Sequence, residues 1–323
     1  MDGPLKPPMN QKPQTGTLAD FNLLLAALIW GGNVVAMKFA ITVLNPFFFN
    51  AFRFTCSVLT LAIWIAISHR PLDRPAVEIA IDRRVYIGMI LLYSFLFGVV
   101  YQVAFLIGIY NTSASNTALI MSSVPMWTAI IAILFLGERL SIVSWSGLVT
   151  TFIGTMVVAL DKPTSSPVNT LVESTSTATF WGNVIMLFCA IAWSVSTVVS
   201  RPLLQYITPV KLAFWGMALS LPFHFLFAAW QPTGSFAVEN ATLLQPSILA
   251  ATLYSGIFST GIALAMWSFG VKALGASHAA IYSNLIPLVA LLLGWMCLSE
   301  VPTVLQITGG VMIICGLLVM RRG

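Results

Sequence analysis

Two basic side chains, Lys38 and Arg53, stand inside long apolar stretches of the sequence. Lys38 is eight residues before Pro46, and Arg53 is seven after it. Asn45-Pro46 reads as a turn between two antiparallel helices. At 1.5 Å rise per residue, both charges then lie about 10 Å below that turn. Burying a charge at such a depth costs at least about 2.5 kcal/mol, so each needs a reason. One reason is contact with an anion or carboxylate. The other is snorkelling to the interface, or a hydrogen bond to a helix end. Of the two, Lys38 is the stronger candidate for a ligand contact, because its neighbours in sequence offer no carboxylate.

A second set of residues is polar or aromatic within apolar surroundings. Trp30 and Asn33 fall on one candidate helix, and Trp193 and Ser196 fall at the matching places on another. Tyr101, Gln102, Asn116 and Trp127 follow, and then Tyr254, Trp267, His278 and Tyr282. Polar groups on lipid-embedded helices face protein or a cavity. Together these residues describe an amphipathic cavity for a small-molecule substrate; singly, each reads equally well as a bond between helices. Pro125 and Pro287 remove helical hydrogen bonds, and each has Ser, Thr or Asn beside it to take up the freed carbonyls. They read as hinges in the cavity wall, or as static kinks. His278 is a candidate proton relay. No Asp or Glu falls at the middle of a span. Glu138 and Glu300 sit at helix ends, where a salt bridge between loops or backbone hydrogen bonds would hold them.

The elements that must carry these residues follow from composition. Of 323 residues, 58% are hydrophobic and 8% are charged, against roughly 25% charged in an average soluble domain. Such a chain needs lipid as solvent. Ten apolar segments are long enough to span a bilayer: 20–42, 46–68, 85–108, 114–136, 142–160, 180–203, 209–230, 247–271, 275–298 and 303–321. They do not alternate polar and apolar as barrel strands do. Helices are therefore the form that satisfies their backbone. The fold expected is an all-α membrane protein. Residues 1–17, polar and rich in proline, read as a disordered cytoplasmic tail. Residues 161–179, rich in Ser and Thr, read as a linker between two halves, 18–160 and 180–323. Cys56, Cys189, Cys297 and Cys315 lie in apolar runs and form no CxxC pair. They read as buried hydrophobes, with no metal or cofactor expected.

The two halves overlay. Ala27-Leu28-Ile29-Trp30 matches Ala190-Ile191-Ala192-Trp193, and at the same offset Lys38 meets Arg201 and Pro46 meets Pro209. After a change of one residue, Gly108 meets Gly270, Ser115 meets Ser277, Pro125 meets Pro287, Glu138 meets Glu300 and Gly154 meets Gly316. Five spans per half is an odd number, so the second half must sit upside down relative to the first. The expected architecture is thus ten transmembrane helices as two inverted five-helix repeats. Inverted repeats carry a substrate site near the midplane, with access alternating as the halves rock. Lys and Arg crowd the loops on the side of the N-terminus, leaving Lys162 alone on the other. That bias puts both termini in the cytoplasm and the chain in the inner membrane.

Trp30-Gly31, Pro46 with Arg53 beyond it, Pro125 within its span, and Leu136-Gly137-Glu138-Arg139-Leu140 closing that span resemble the EamA-type family of the drug/metabolite transporter superfamily. The second half departs slightly, with Leu298-Ser299-Glu300 where the first has Leu-Gly-Glu. The resemblance implies ten helices and a cavity lined mainly by helices 1, 3, 4, 6, 8 and 9. It implies export or exchange of amino acids, other small metabolites or drugs. It also makes helix 2 peripheral, which speaks against a role for Arg53.

Other function classes fit less well. There is no GxxxxGK[ST] motif for nucleotide hydrolysis, and no basic patch interleaved with aromatics for nucleic acid. The alternative to a secondary transporter is an intramembrane enzyme or lipid flippase. An enzyme should place paired Asp or His residues at one depth, and the sequence has none. Gly147, Gly154, Gly309, Gly310 and Gly316 permit close helix packing, with a homodimer interface as the second reading. The topology is open to a direct test. On a cysteine-free background, reagent added outside intact cells is expected to label Ser165→Cys and to miss Asp2→Cys. Outside labelling at Asp2→Cys overturns the orientation.

Overall fold

The computed structural model describes residues 14–41, 43–68, 82–111, 120–121, 123–160, 176–230, 236–286, 288–289, 292–293 and 303–322. Among the described residues the chain is helical wherever it is regular, with no strand. Helix α1 is Gln14–Ile41 and α2 is Pro46–Ile67. Helix α3 joins Arg83–Tyr93, a π-helical stretch Ser94–Tyr101, and Gln102–Asn111. Then come α4 (Val124–Leu136), α5 (Ile142–Leu160) and α6 (Ser176–Leu203). Helix α7 is Pro209–Ala218 continued by Leu221–Trp230. After a short helix, Phe236–Leu243, α8 joins Pro246–Leu253, a π-helical stretch Tyr254–Ala263, and Leu264–Leu274. Helix α9 starts as Ala276–Ile281 with a tight turn Tyr282–Asn284, and α10 is Val304–Arg322.

Among the described residues, five helices are long and apolar enough to cross a membrane: Pro46–Ile67, Arg83–Gly108, Phe180–Leu203, Pro209–Trp230 and Pro246–Leu274. Val124–Leu136, Ile142–Gly154 and Ile307–Met320 are shorter apolar helices. Large apolar side chains cover the outside: Ile142 is 88% exposed and Phe135 79%. An outer surface of that kind calls for lipid rather than water.

Local chemistry starts the helices where the sequence places turns. Asn45 Oδ1 accepts from the Phe47 and Phe48 N–H groups at 2.8 and 3.3 Å, with Pro46 in the first turn. Proline costs nothing there, because its missing N–H would have had no helical partner. Thr208 does the same for α7, with Pro209 behind it. Helices α4 and α8 end at Gly137 and Gly275, whose φ angles are 63° and 92°. A residue with a β-carbon is strained in that region.

Three expectations change. Helix α6 begins at Ser176, inside the stretch read as linker. Residues 209–230 form two helical pieces broken at Leu219–Ser220, just before Pro222, a ring that ends helical bonding. Pro125 lies in the first turn of α4 and not within a continuous helix, since the chain turns at Ser123.

The packing repeats itself between halves. Helix α1 packs on α8, and α6 packs on α3. Helix α2 packs on the π stretch of α8, and α7 packs on that of α3. The most extensive contact joins α5 to α10. There the glycines meet backbone: a Cβ on Gly147 would lie 2.6 Å from the Gly316 carbonyl, and one on Gly154 2.7 Å from the Gly309 carbonyl. Cys56, Cys189 and Cys315 are free thiols, while Cys297 lies outside the described residues. Gly147→Ala or Gly154→Ala is expected to destabilise by about 1–3 kcal/mol through overpacking. Gly88→Ala, whose Cβ meets nothing within 4 Å, should be neutral or stabilise by up to about 1 kcal/mol. Thermal unfolding of the purified variants in detergent measures both. Equal effects at all three positions would contradict the close α5–α10 contact.

Candidate functional site

The centre of the bundle is aromatic and draws on both halves. Trp30 on α1 lies 5.5 Å from Trp193 on α6 and 5.3 Å from Trp267 on α8, centroid to centroid. Trp193 and Trp267 are 5.9 Å apart. Tyr101 on α3 reaches Trp193 at 4.8 Å, and Phe97 reaches it at 5.5 Å. Such separations suit edge-to-face and offset ring contacts, each contributing about 0.5–1.5 kcal/mol beyond area burial. Trp30 is held by a bond from its indole N–H to the Ser259 carbonyl, 3.0 Å. That carbonyl belongs to the π stretch of α8, where helical bonding is loosened and acceptors are freed. Beside the rings runs a narrow crevice lined by Tyr93, Phe97, Trp193, Ser196, Trp267 and Ser268, with room for little more than a water molecule. The Ser196 hydroxyl is turned back to the Trp193 carbonyl at 2.8 Å.

Other candidates border this centre. Trp127 on α4 packs against the same core, and its indole N–H is buried without a partner. The Asn33 amide oxygen is likewise buried and unpartnered. Tyr254 donates to the Ile29 carbonyl at 3.0 Å, closing α1 onto α8. That contact needs Gly32, because a Cβ there would lie 2.7 Å from the Tyr254 hydroxyl. Asn116 and Pro287 lie outside the described residues, and so does the side chain of Lys38.

Two further groups stand at opposite ends of the bundle. At the Asp20 end, the Tyr282 hydroxyl bonds to the Asp20 carboxylate, and both residues are buried. Glu138 accepts from the Ala276 and Ser277 N–H groups at 2.9 and 3.2 Å and from the Ser277 hydroxyl at 2.6 Å. A carboxylate on the first turn of α9 satisfies donors that the helix leaves open. Of the two readings for Glu138, the structure shows backbone hydrogen bonds, made to the other half. Arg201 donates to the Val271 carbonyl at 2.8 Å and to the Lys272 carbonyl, closing the other side of the same bend. His278 is half-buried and follows Ser277 of this clasp in sequence.

At the Asn45 end, Gln102 is buried and accepts from Arg53 Nη2 at 2.6 Å. Arg53 is 5% exposed. Helix 2 is therefore not peripheral at this position: it packs on α7 and α8, and the guanidinium lies among Met37, Phe49, Phe54 and Gln102. Asn50 donates to His224 Nδ1 at 3.0 Å, and His224 Nε2 donates to the Gly98 carbonyl at 2.7 Å. Both bonds fit a neutral imidazole. Sequence reading missed Asp20, Asn50 and His224. Asp20 sat on the edge of its span, and the other two were single polar residues without a pattern. Among the described residues, no group of His, Cys, Asp and Glu is placed to hold a metal ion.

The arrangement is an aromatic, nearly closed chamber between halves, with polar groups at both ends. Known proteins are similar to this chain in sequence and fold. The model of the EamA-like transporter family matches residues 17–160 and again 180–322. The uncharacterized transporter YoaV of Bacillus subtilis is 23% identical over 299 residues, covering 91% of this chain and 94% of its own. An uncharacterized transporter of Archaeoglobus fulgidus is 26% identical over 296 residues, covering 91% and 94%. A probable terminal-alkyne amino-acid exporter of Streptantibioticus cattleyicolor is 24% identical over 222 residues, covering 69% of each chain. A solved crystal structure superposes with a TM-score of 0.70 at 20% identity, covering 94% of this chain and 98% of that one, which shows a common fold. Matched twice by one family across nearly all its length, this multi-pass membrane protein belongs to the EamA-like transporter family.

Proposed function

We propose that the chain is a secondary transporter of ten transmembrane helices, arranged as two inverted five-helix repeats. It moves small metabolites, amino acids or related compounds and drugs among them, across the cytoplasmic membrane by alternating access, as exporter or exchanger. The observation that carries this reading is the aromatic centre, where Trp30 from one half meets Trp193 and Trp267 from the other. A site assembled from both halves changes shape when the halves rock, and that couples occupancy to access. The amino-acid exporter among the relatives supports the substrate range.

The Asp20 end is the cytoplasmic one in this reading, because Arg83, Arg84, Arg139, Arg201, Lys211 and Lys272 gather on that side. Glu138 binds that end shut across the two halves, and Arg201 ties α6 to the end of α8 within the second half. Trp30, Tyr101, Trp193 and Trp267 form the walls for the substrate body, with Asn33, Trp127 and Tyr254 next to them. Pro125 lets α4 begin at the chamber, with Pro287 as its counterpart in the second half. The parts 18–160 and 180–323 are the moving bodies.

The test is flux in proteoliposomes against a metabolite panel. Trp193→Ala and Trp30→Ala are expected to cut flux roughly tenfold, the effect of about 1.4 kcal/mol of lost binding, while the folded yield stays near that of the parent. Unchanged flux in both variants would place the transport path elsewhere.

A further inference from the structure

Arg53 presents a buried charge with almost nothing to balance it. Its guanidinium offers five N–H donors. One nitrogen meets the Gln102 amide oxygen at 2.6 Å, and another meets only the Met37 sulfur at 3.6 Å. The third, Nε, is buried with no partner. The rings of Phe49 and Phe54 stand 5.9 and 5.6 Å from its central carbon. These faces attract a cation but do not neutralise it. Each described carboxylate is engaged elsewhere: Asp20 with Tyr282, Asp82 with the Arg84 N–H, Glu138 with α9, and Glu239 with the Asn45 N–H.

A guanidinium kept for stability alone would pair best with a carboxylate. A Glu at position 102 would supply one, one side chain away. Gln102 instead gives a neutral oxygen of the same shape and leaves the positive charge uncancelled. Gln102 adjoins Tyr101 in sequence, and the Tyr101 ring touches Trp193 in the aromatic centre. The Tyr101 ring also lies 5.9 Å from that of Phe105, which packs on the cluster that holds Met37, the neighbour of Arg53. The charge is thus next to the chamber and not on the far side of the bundle.

We propose that Arg53 is the anion-recognition element of the transport site, selecting small molecules that carry a carboxylate on an apolar or aromatic body. This inference rests on the transport reading above and adds the substrate class. In the unloaded protein the Gln102 oxygen holds the place of a carboxylate oxygen. On binding, the substrate carboxylate takes that place and engages the fork, while the body of the substrate lies against Tyr101 and the tryptophans. The exchange replaces a neutral acceptor by a charged one, and bonds of that kind are shorter and stronger. The planar fork distinguishes a carboxylate from a carboxamide, which offers one acceptor oxygen and brings donors of its own.

The experiment uses full-length protein and two matched pairs of probes, phenylalanine with phenylalaninamide and 3-phenylpropionate with 3-phenylpropionamide. Binding is read from thermal shift and tryptophan fluorescence in detergent, and flux is read in proteoliposomes. Wild type is expected to bind the acids and to discriminate against the amides. Arg53→Gln should weaken acid binding by about thirtyfold, as removal of a buried charge partner does, and Arg53→Lys should retain part of it. Gln102→Glu is the decisive variant. It should raise the unfolding temperature, because it neutralises Arg53 internally, and for that reason it should abolish binding of the acids. A more stable Gln102→Glu protein that still binds the acids with wild-type affinity overturns the proposal. Equal binding of acids and amides by wild type overturns it too, as does no response to any acid. Flux without preference for the acids removes this inference and leaves the transport reading standing. Arg53-dependent binding without flux supports the site and counts against transport.

Discussion

The constraint on which this structure depends is that backbone groups at a helix end cannot be left bare in an apolar surrounding. Inside a helix the chain satisfies itself; at its ends, and wherever it loosens, it needs help. Much of that help comes from the opposite half of the molecule. Glu138, from the first half, closes the start of α9 in the second. Glu239 accepts from the Asn45 N–H at 3.2 Å, at the turn between α1 and α2. Tyr254 takes the Ile29 carbonyl, and Trp30 takes that of Ser259. These bonds stitch the two repeats together at both ends and in the middle. Separation of the halves would expose each of these groups at a cost of about 1–3 kcal/mol apiece.

The same need shapes the chamber. Small residues allow the close approach on which the stitching depends: Gly32 under Tyr254, Gly256 against the Arg53 carbonyl, Gly216 beneath Tyr93. Where backbone comes close there is little room for side chains, and the space that remains is filled by large rings. Four tryptophans and tyrosines thereby become the inner wall. The charged side chains Glu138, Arg201 and Glu239 stand toward the two ends, where helix termini and turns offer them partners. An aromatic middle with charged ends follows from packing before any question of substrate arises.

Much of this was legible in the sequence. The matched Trp30 and Trp193 marked the same depth in both halves, and they meet. Asn45-Pro46 and the matching Pro209 marked helix starts, and Asn45 and Thr208 cap them. What was hidden was azimuth. Spacing from a turn gives the depth of Arg53, but not whether its side chain points to lipid or to protein. A general expectation for helix 2 pointed outward, and the contacts with α7 and α8 turn it inward. Partners distant in sequence were hidden too, such as Glu138 for Ala276 and Ser277. Asp20 escaped because it sat on the edge of an apolar run, where a carboxylate ordinarily meets water. The π stretches of α3 and α8 left no signature, since a wider turn is set by neighbours and not by composition.

Those π stretches make each long helix two pieces out of phase. One extra residue in a turn rotates everything after it by about 100°. The two parts of α3 therefore behave like gear wheels fixed on one shaft at different angles. At the turn where the first part passes into the π stretch the helix meshes with α7, and the Ser94 hydroxyl reaches the Trp215 carbonyl at 3.0 Å. The second meshes with α6 and turns Gln102 toward Arg53. Loss of the extra residue would leave a perfectly good helix and a failed gear train, with one wheel engaged and the other facing the wrong way.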